Sequence, residues 1–455
     1  MLVSRNDNNK SGKILVLIIS VVIAVIIADI SIVKLSDLIR WRFLHDWKNI
    51  TLFIAMSSVY AISQYFILEF IKGRGEKELG YAKGKMRLSA ATFRKIVSII
   101  QYVITAILIF VILQLIFYSR YSPAATTAIT AISYTTAIVM IGLLAYLFFM
   151  WFNQNRRSAS GLKVFLYGLS SAALVLNTII GLALIYSLSL TKPVMMGPHA
   201  GSVTVLIGTP IDRILNPSYI ATSILGFILM WSATAILLRS YSQRLGKAKY
   251  WFLVSIPLVY FVSQFLTLFS NQFAATLALY PVLFTLLFVF SKPLGGILFG
   301  AAFYSIGRRG TSSPNGSFVR DYMTFAAYGV VLFFVSSQNT VVQPTYPPFG
   351  VIAASFVGLS GYMMFLGLYS SAICVSQDVK LRQLIRRSAV QEVKFLESIG
   401  TAQMEQELQK RVLTIAKENS DNMVEETGVQ PSLSENDMKQ YLEEVLVEIK
   451  ATKKS

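Results

Sequence analysis

Residues 14–33 read ILVLIISVVIAVIIADISIV. At about 1.5 Å per residue, such a run forms a helix of about 30 Å, the thickness of a bilayer's hydrocarbon core. A secretory leader is the competing reading, because Arg5, Lys10 and Lys13 precede the run. A leader's apolar core usually ends after about 7–15 residues at a small-residue cleavage site, and none follows here. The run is therefore expected to be a retained anchor. One charge interrupts it, Asp29, near its far end.

Further apolar runs cover 50–71, 96–117, 127–152, 164–190, 219–238, 250–269, 274–290, 322–335 and 349–375, which predicts about ten spans. Apolar residues make up 54% of the 455 residues and charged residues 14%, against about 25% charged in soluble domains. Backbone groups inside lipid have to be satisfied internally, so the expected fold is all-α, a polytopic transmembrane helix bundle over 1–375. Its first partner is the lipid bilayer.

Basic residues orient the bundle, because loops rich in Lys and Arg stay in the cytoplasm. With the amino terminus inside, inner segments before residue 376 hold 22 basic residues and outer segments hold 7. Both termini are thus expected in the cytoplasm of a cell-membrane protein. One outer loop, 34–49, departs from the pattern with four bases. The spacing of Leu38, Trp41, Leu44 and Trp47 predicts an amphipathic helix on the interface there. The tail from 376 holds 12 basic and 14 acidic residues, so the net charge of +18 belongs to the membrane part. That excess faces anionic lipid, and no nucleic-acid partner is expected.

Between Lys292 and Arg308 lies PLGGILFGAAFYSIG. Its apolar part, 294–306, is short for a span, so it predicts a re-entrant or interfacial helix returning to the inner side. Gly296 and Gly300 form a G-x-x-x-G, which permits close helix approach or a half-helix aimed at a solute.

Ion-coupled transporters keep a charge deep among their helices. Here only Asp29 and Glu69 fall within apolar runs, and both lie near an end. Glu69 has Lys72 as a local partner. Asp29 is a candidate for ligand gating or for a pathway, with an interfacial pairing to Lys34 as the alternative. Uncharged Gln64, Gln101, Gln114, Asn177 and Gln264 can bond helix to helix or line a passage, Asn177 and Gln264 being the pathway candidates. Pro257 and Pro281 are positions for kinks.

Two segments expected outside carry Pro and Gly punctuation. One, 191–218, contains the β-prone SVTVLIG and His199; the other, 336–350, is SSQNTVVQPTYPPFG. Three prolines stiffen the second, and Tyr346 is placed to seat at the headgroups or on a neighbouring loop. It reads as a lid, a presented surface or a tight connector.

The tail 376–455 shows helical periodicity. Leu381, Leu384, Ile385, Ala389, Val393 and Leu396 predict an amphipathic helix continuing the last span and ending at Gly400. Met404, Leu408, Val412 and Ile415 predict a second helix, and Met438, Tyr441, Leu442, Val445, Leu446 and Ile449 a third. Such helices bury more by packing on one another as a coiled coil, or on a partner, so a homo-oligomer or a cytoplasmic protein partner through 376–455 is expected.

Catalytic, cofactor and metal sites are not expected. Cys374 is the only cysteine, and His45 and His199 are the only histidines, too few for the usual zinc constellations. No nucleophile elbow or phosphate-binding glycine loop is present. The tail lacks the histidine that a phosphorelay needs. Two functions remain: a non-catalytic receptor or assembly scaffold coupling outer loops to the tail, and a permease or channel-like facilitator for a neutral or apolar solute.

Overall fold

The computed structural model describes residues 3–39, 46–79, 85–154, 161–189, 212–265, 279–309, 316–338, 346–387 and 393–427. Helices α1 (Val3–Ile39), α2 (Asp46–Leu79), α3 (Lys85–Tyr118), α4 (Pro123–Gln154), α5 (Gly161–Ser189) and α6 (Asp212–Leu237) come first. A 3-10 turn (Leu238–Tyr241) and the single turn α7 (Ser242–Leu245) lead into α8 (Lys247–Ser263). Then follow α9 (Pro281–Arg309), α10 (Gly316–Ser336), α11 (Val351–Gln377), α12 (Val379–Arg387) and α13 (Val393–Thr427). Among the described residues 9 helical segments are long and apolar enough to cross a membrane, which is the build of an integral membrane protein. The 17-residue α8 is apolar too but shorter than these nine.

Helix α11 occupies the axis. Its most apolar window is 94% buried, against 28% in α3 and 33% in α1, so α3 and α1 form the rim. A helix apolar on every side is stable where neighbours cover every side. Small residues let those neighbours close in. A Cβ on Gly367 would lie 2.5 Å from the Ala326 amide nitrogen of α10, and one on Gly358 would lie 2.8 Å from the Ser133 carbonyl of α4. Ser133 also joins the helices by hydrogen bonds, its hydroxyl donating to the Ser355 carbonyl (3.2 Å) and accepting from the Gly358 amide (2.9 Å). From α4 the bundle continues through α5 to α6, and from α10 to α9 and α8. At the rim, α2 and α3 are clamped by Gln64, whose amide donates to Thr105 Oγ1 (2.8 Å), and by Tyr60, whose hydroxyl donates to Gln101 Oε1 (3.1 Å).

The structure departs from the sequence expectations at several points. The short helix expected over 294–306 is not a separate element: it is the second half of α9, which runs unbroken through Pro293. The sequence Ser-Lys-Pro looks like a break because proline lacks a donor and lysine shuns lipid. Both objections are met by packing, since Lys292 is hydrogen-bonded inside the bundle and Gly296 and Gly300 let α10 lie against the same helix. Lys292 therefore leaves the inner basic tally, although the asymmetry survives. Helix α10 starts at Gly316, before the expected 322, and carries Arg320 and Asp321 side by side, Nε to Oδ1 3.8 Å. The expected interfacial helix over 38–47 falls partly on 40–45, outside the described residues; its flanks belong to α1 and α2. His45, His199, the SVTVLIG stretch and the third tail helix also lie outside them.

Behind α11 the chain turns at Asp378 (φ −97°, ψ 102°), so the first tail helix does not continue the span. Asp378 Oδ1 caps α12 by accepting from the Leu381 amide (3.0 Å). Nor does Gly400 end a helix: α13 passes straight through it. Glycine is needed there for contact, because a Cβ would collide with the Val375 side chain of α11. Phe395, Leu396, Ile399 and Ala402 are buried in the same core as the bundle, together with Leu381 and Ile385 of α12, so this half of α13 packs against membrane helices as well as against the first tail helix.

Candidate functional site

The two ends of α11 hold the most specific contacts. At its first turn, Gly350 adopts φ 90° and ψ −20°, a left-handed conformation that favours glycine and leaves the helix without a capping side chain of its own. Asp29 of α1 supplies the cap from elsewhere in the chain. Its Oδ1 accepts from the Gly350 amide at 2.8 Å and its Oδ2 from the Ala353 amide at 2.9 Å. These are the two donors that a capping box satisfies with local side chains. A carboxylate there also faces the positive end of the helix dipole. Asp29 is fully buried, and its two partners are these amides.

Residues 346–350 pack over this cap. Tyr346 is partly buried and stacks on Tyr121 of the α3–α4 connection, ring centroids 6.5 Å apart, and burial holds the Tyr121 hydroxyl above the usual phenol range. Phe349 meets Phe53 of α2 edge-on at 5.8 Å. Tyr346 thus seats on a neighbouring loop, and the prolines Pro347 and Pro348 are buried beside it.

A second constellation lies between α5, α6, α8, α9 and α10. Lys292 of α9 is 7% exposed. Its Nζ donates to Tyr219 Oη of α6 (3.1 Å) and to the Ser337 carbonyl (3.0 Å), and lies 5.4 Å from the Tyr219 ring centre. Asn177 of α5 donates to the Tyr219 carbonyl (2.9 Å) and to Thr222 Oγ1 (3.0 Å). On the neighbouring face, Ser291 Oγ donates to Gln264 Oε1 (2.8 Å), while Gln338 Nε2 donates to Ser291 Oγ (3.0 Å) and to the Phe288 carbonyl. Two of the sequence-selected residues, Asn177 and Gln264, thus sit in two separate hydrogen-bonded groups, one on Tyr219 and Thr222 and the other on Ser291, which adjoin because Lys292 follows Ser291 in α9. Lys292 carried a signal that was passed over: one lysine inside an otherwise apolar stretch from 282 to 306.

The remaining candidates fall elsewhere. Gly296 and Gly300 face α10; a Cβ on Gly300 would lie 2.5 Å from Val331 Cγ2 and 2.8 Å from the Ala327 carbonyl. They set the α9–α10 approach. Asp29 and Tyr346 belong to the Gly350 end of α11. Lys34, the pairing considered for Asp29, holds its Nζ 4.5 Å from the Phe288 ring centre. Glu69 does meet Lys72, at 3.9 Å, with both side chains about half exposed.

At the Gln377 end, Trp151 Nε1 of α4 donates to Gln403 Oε1 of α13 (3.1 Å). Phe395 packs on Tyr167 of α5, centroids 5.6 Å apart, and Ser376 reaches Glu407 at 3.5 Å. No family model matches the chain, and no curated protein or solved structure is similar to it.

Proposed function

We propose that the chain is a non-catalytic membrane receptor or assembly scaffold that couples its outer loops to a cytoplasmic helical module. The observation that carries this reading is α11 itself. One unbroken helix of 27 residues, buried on all sides, is pinned at one end by a carboxylate from α1 and a packed loop, and at the other touches a docked helix of the tail. A displacement at the Gly350 end has a stiff route to α13, because interfaces packed through glycine have little slack. With both termini in the cytoplasm, the Gly350 end faces outward and α13 inward, available to a cytoplasmic partner or to a second copy.

The test is a spin label at position 410 on α13, in a Cys374→Ser background, in full-length protein reconstituted in nanodiscs. Asp29→Asn is expected to change the label's mobility while the helical content stays that of the parent. An unchanged spectrum in a folded variant overturns the coupling. Cysteine-accessibility labelling at 345 and 380 checks the orientation, and reactivity of both from the same side would overturn it.

The permease reading draws on two adjoining polar groups, Asn177, Tyr219 and Lys292 in one and Gln264, Ser291 and Gln338 in the other. A neutral or apolar solute has no use for a buried ammonium, and α11 fills the axis along which a passage would run. Solute-specific swelling of liposomes carrying the protein would favour this reading over the scaffold.

A further inference from the structure

Packing gives Lys292 hydrogen bonds but no counter-charge, and the scaffold reading gives it no role. An ionisable side chain inside a membrane bundle is costly and ordinarily marks a functional position. Its ammonium has three protons to donate, and two are used, on a phenol oxygen and a backbone carbonyl. Both acceptors are neutral. No ion pair to Lys292 is found among the described residues, and Asp29, the buried carboxylate, is committed to two amides. The sequence segments 190–211, 266–278 and 339–345, which lie outside the described residues, contain no Asp or Glu. Asp212 begins α6, seven residues or about 10 Å of helix from Tyr219.

Other polar atoms nearby are also unsatisfied. Thr285 Oγ1, Ser336 Oγ and Gln338 Oε1 are buried and make no hydrogen bond. Thr285 is within two turns of Lys292 on α9, Ser336 and Gln338 flank the carbonyl that Lys292 holds, and Gln338 bonds to Ser291. Buried polar atoms are almost always paired, so the orphan hydroxyls of Thr285 and Ser336 leave donors that a polar ligand can take up, whereas the Gln338 oxygen is an acceptor and offers none. Elsewhere around the first third of α9, Val282, Leu283 and Leu286 are exposed, an apolar surface of the kind that acyl chains cover.

We infer that Lys292 and Tyr219, with the unpartnered buried hydroxyls of Thr285 on the same helix and Ser336 next to Ser337, form a binding site for a phosphate group within the bundle at the Gly350 end. Lysine is a common phosphate ligand acting as a point charge, and hydroxyls supply the further donors that phosphate oxygens take up. The phosphate is either that of a lipid headgroup or the free ion. The site is independent of the scaffold reading; if both hold, it supplies the receptor's ligand.

The test uses full-length protein in phosphatidylcholine nanodiscs, titrated separately with inorganic phosphate and with dioctanoyl phosphatidic acid, with dioctanoylglycerol as the phosphate-free control. Binding is followed by native mass spectrometry and by the shift in thermal unfolding. Saturable binding of a phosphate-bearing probe is expected, with no effect of dioctanoylglycerol. Lys292→Gln should weaken it at least tenfold, Tyr219→Phe about threefold, and Lys48→Gln, an exposed lysine on α2, not at all. Response to the lipid alone assigns a headgroup, and response to inorganic phosphate assigns a free anion. Failure of both probes to saturate the parent protein overturns the proposal, as does binding by Lys292→Gln within twofold of the parent. If Lys292→Gln does not fold, Tyr219→Phe decides: it keeps the ring, and undiminished binding by that variant refutes the site.

Discussion

Replacing Asp29 with alanine removes both oxygens that cap the central helix. The Gly350 and Ala353 amides would then lose their acceptors in a buried site next to Phe349 and Phe53. Leaving one buried donor unsatisfied costs about 1–3 kcal/mol, so two cost about 2–6 kcal/mol if their environment does not relax. Loss of charge–dipole attraction at the first turn adds up to about 2 kcal/mol, offset in part because a buried carboxylate no longer needs to be desolvated. Asp29→Asn keeps one acceptor but loses the same charge–dipole attraction, so it should lose at least half as much. The assay is reversible unfolding of the purified chain in mixed micelles at rising dodecyl sulfate fraction, followed by tryptophan fluorescence. A stability loss under about 0.5 kcal/mol in Asp29→Ala would refute the capping argument, since surface changes away from specific contacts reach that size.

Gly350→Ala should cost about 1–2 kcal/mol in the same assay, because its φ of 90° puts a Cβ against the carbonyl; a neutral result would mean that the turn can rearrange. Gly300→Leu should prevent α9 from closing on α10 and abolish the folded monodisperse protein in size-exclusion chromatography, whereas Gly73→Ala, where nothing lies within 4 Å of the added carbon, should be neutral or slightly stabilising. Trp151→Phe removes the bond to Gln403 and should raise the rate of limited proteolysis in α13 without unfolding the membrane helices; equal cleavage rates would show that the tail is held by Phe395 and Leu396 alone. Glu69→Gln should change stability by less than about 0.5 kcal/mol, because its pair with Lys72 is solvated.

The legible part of the site was residue type, and the illegible part was assignment. Asp29 stood out in the sequence as a carboxylate in an apolar run, yet the amides it serves lie more than 300 residues away, and no local periodicity points to them. Asn177 and Gln264 were conspicuous as polar residues among apolar neighbours. Their partners, Tyr219 and Thr222 for Asn177 and Ser291 for Gln264, depend on how the helices face one another. Gly400 shows the same limit: as a helix terminator it follows local propensity, but Val375 lies against it, so contact decides its role.

What the sequence determined by itself was the solvent and the class of fold. Long apolar runs have to leave water, and in lipid a single chain segment can satisfy its own backbone only as a helix, so these conclusions follow from composition and length. Which helix lies at the centre, whether α9 passes Pro293 unbroken, and where the tail docks were decided by tertiary packing. Apolar runs are interchangeable to lipid and are distinguished only by the shapes they offer one another, and here glycine contacts, one remote carboxylate and a buried lysine select a single arrangement.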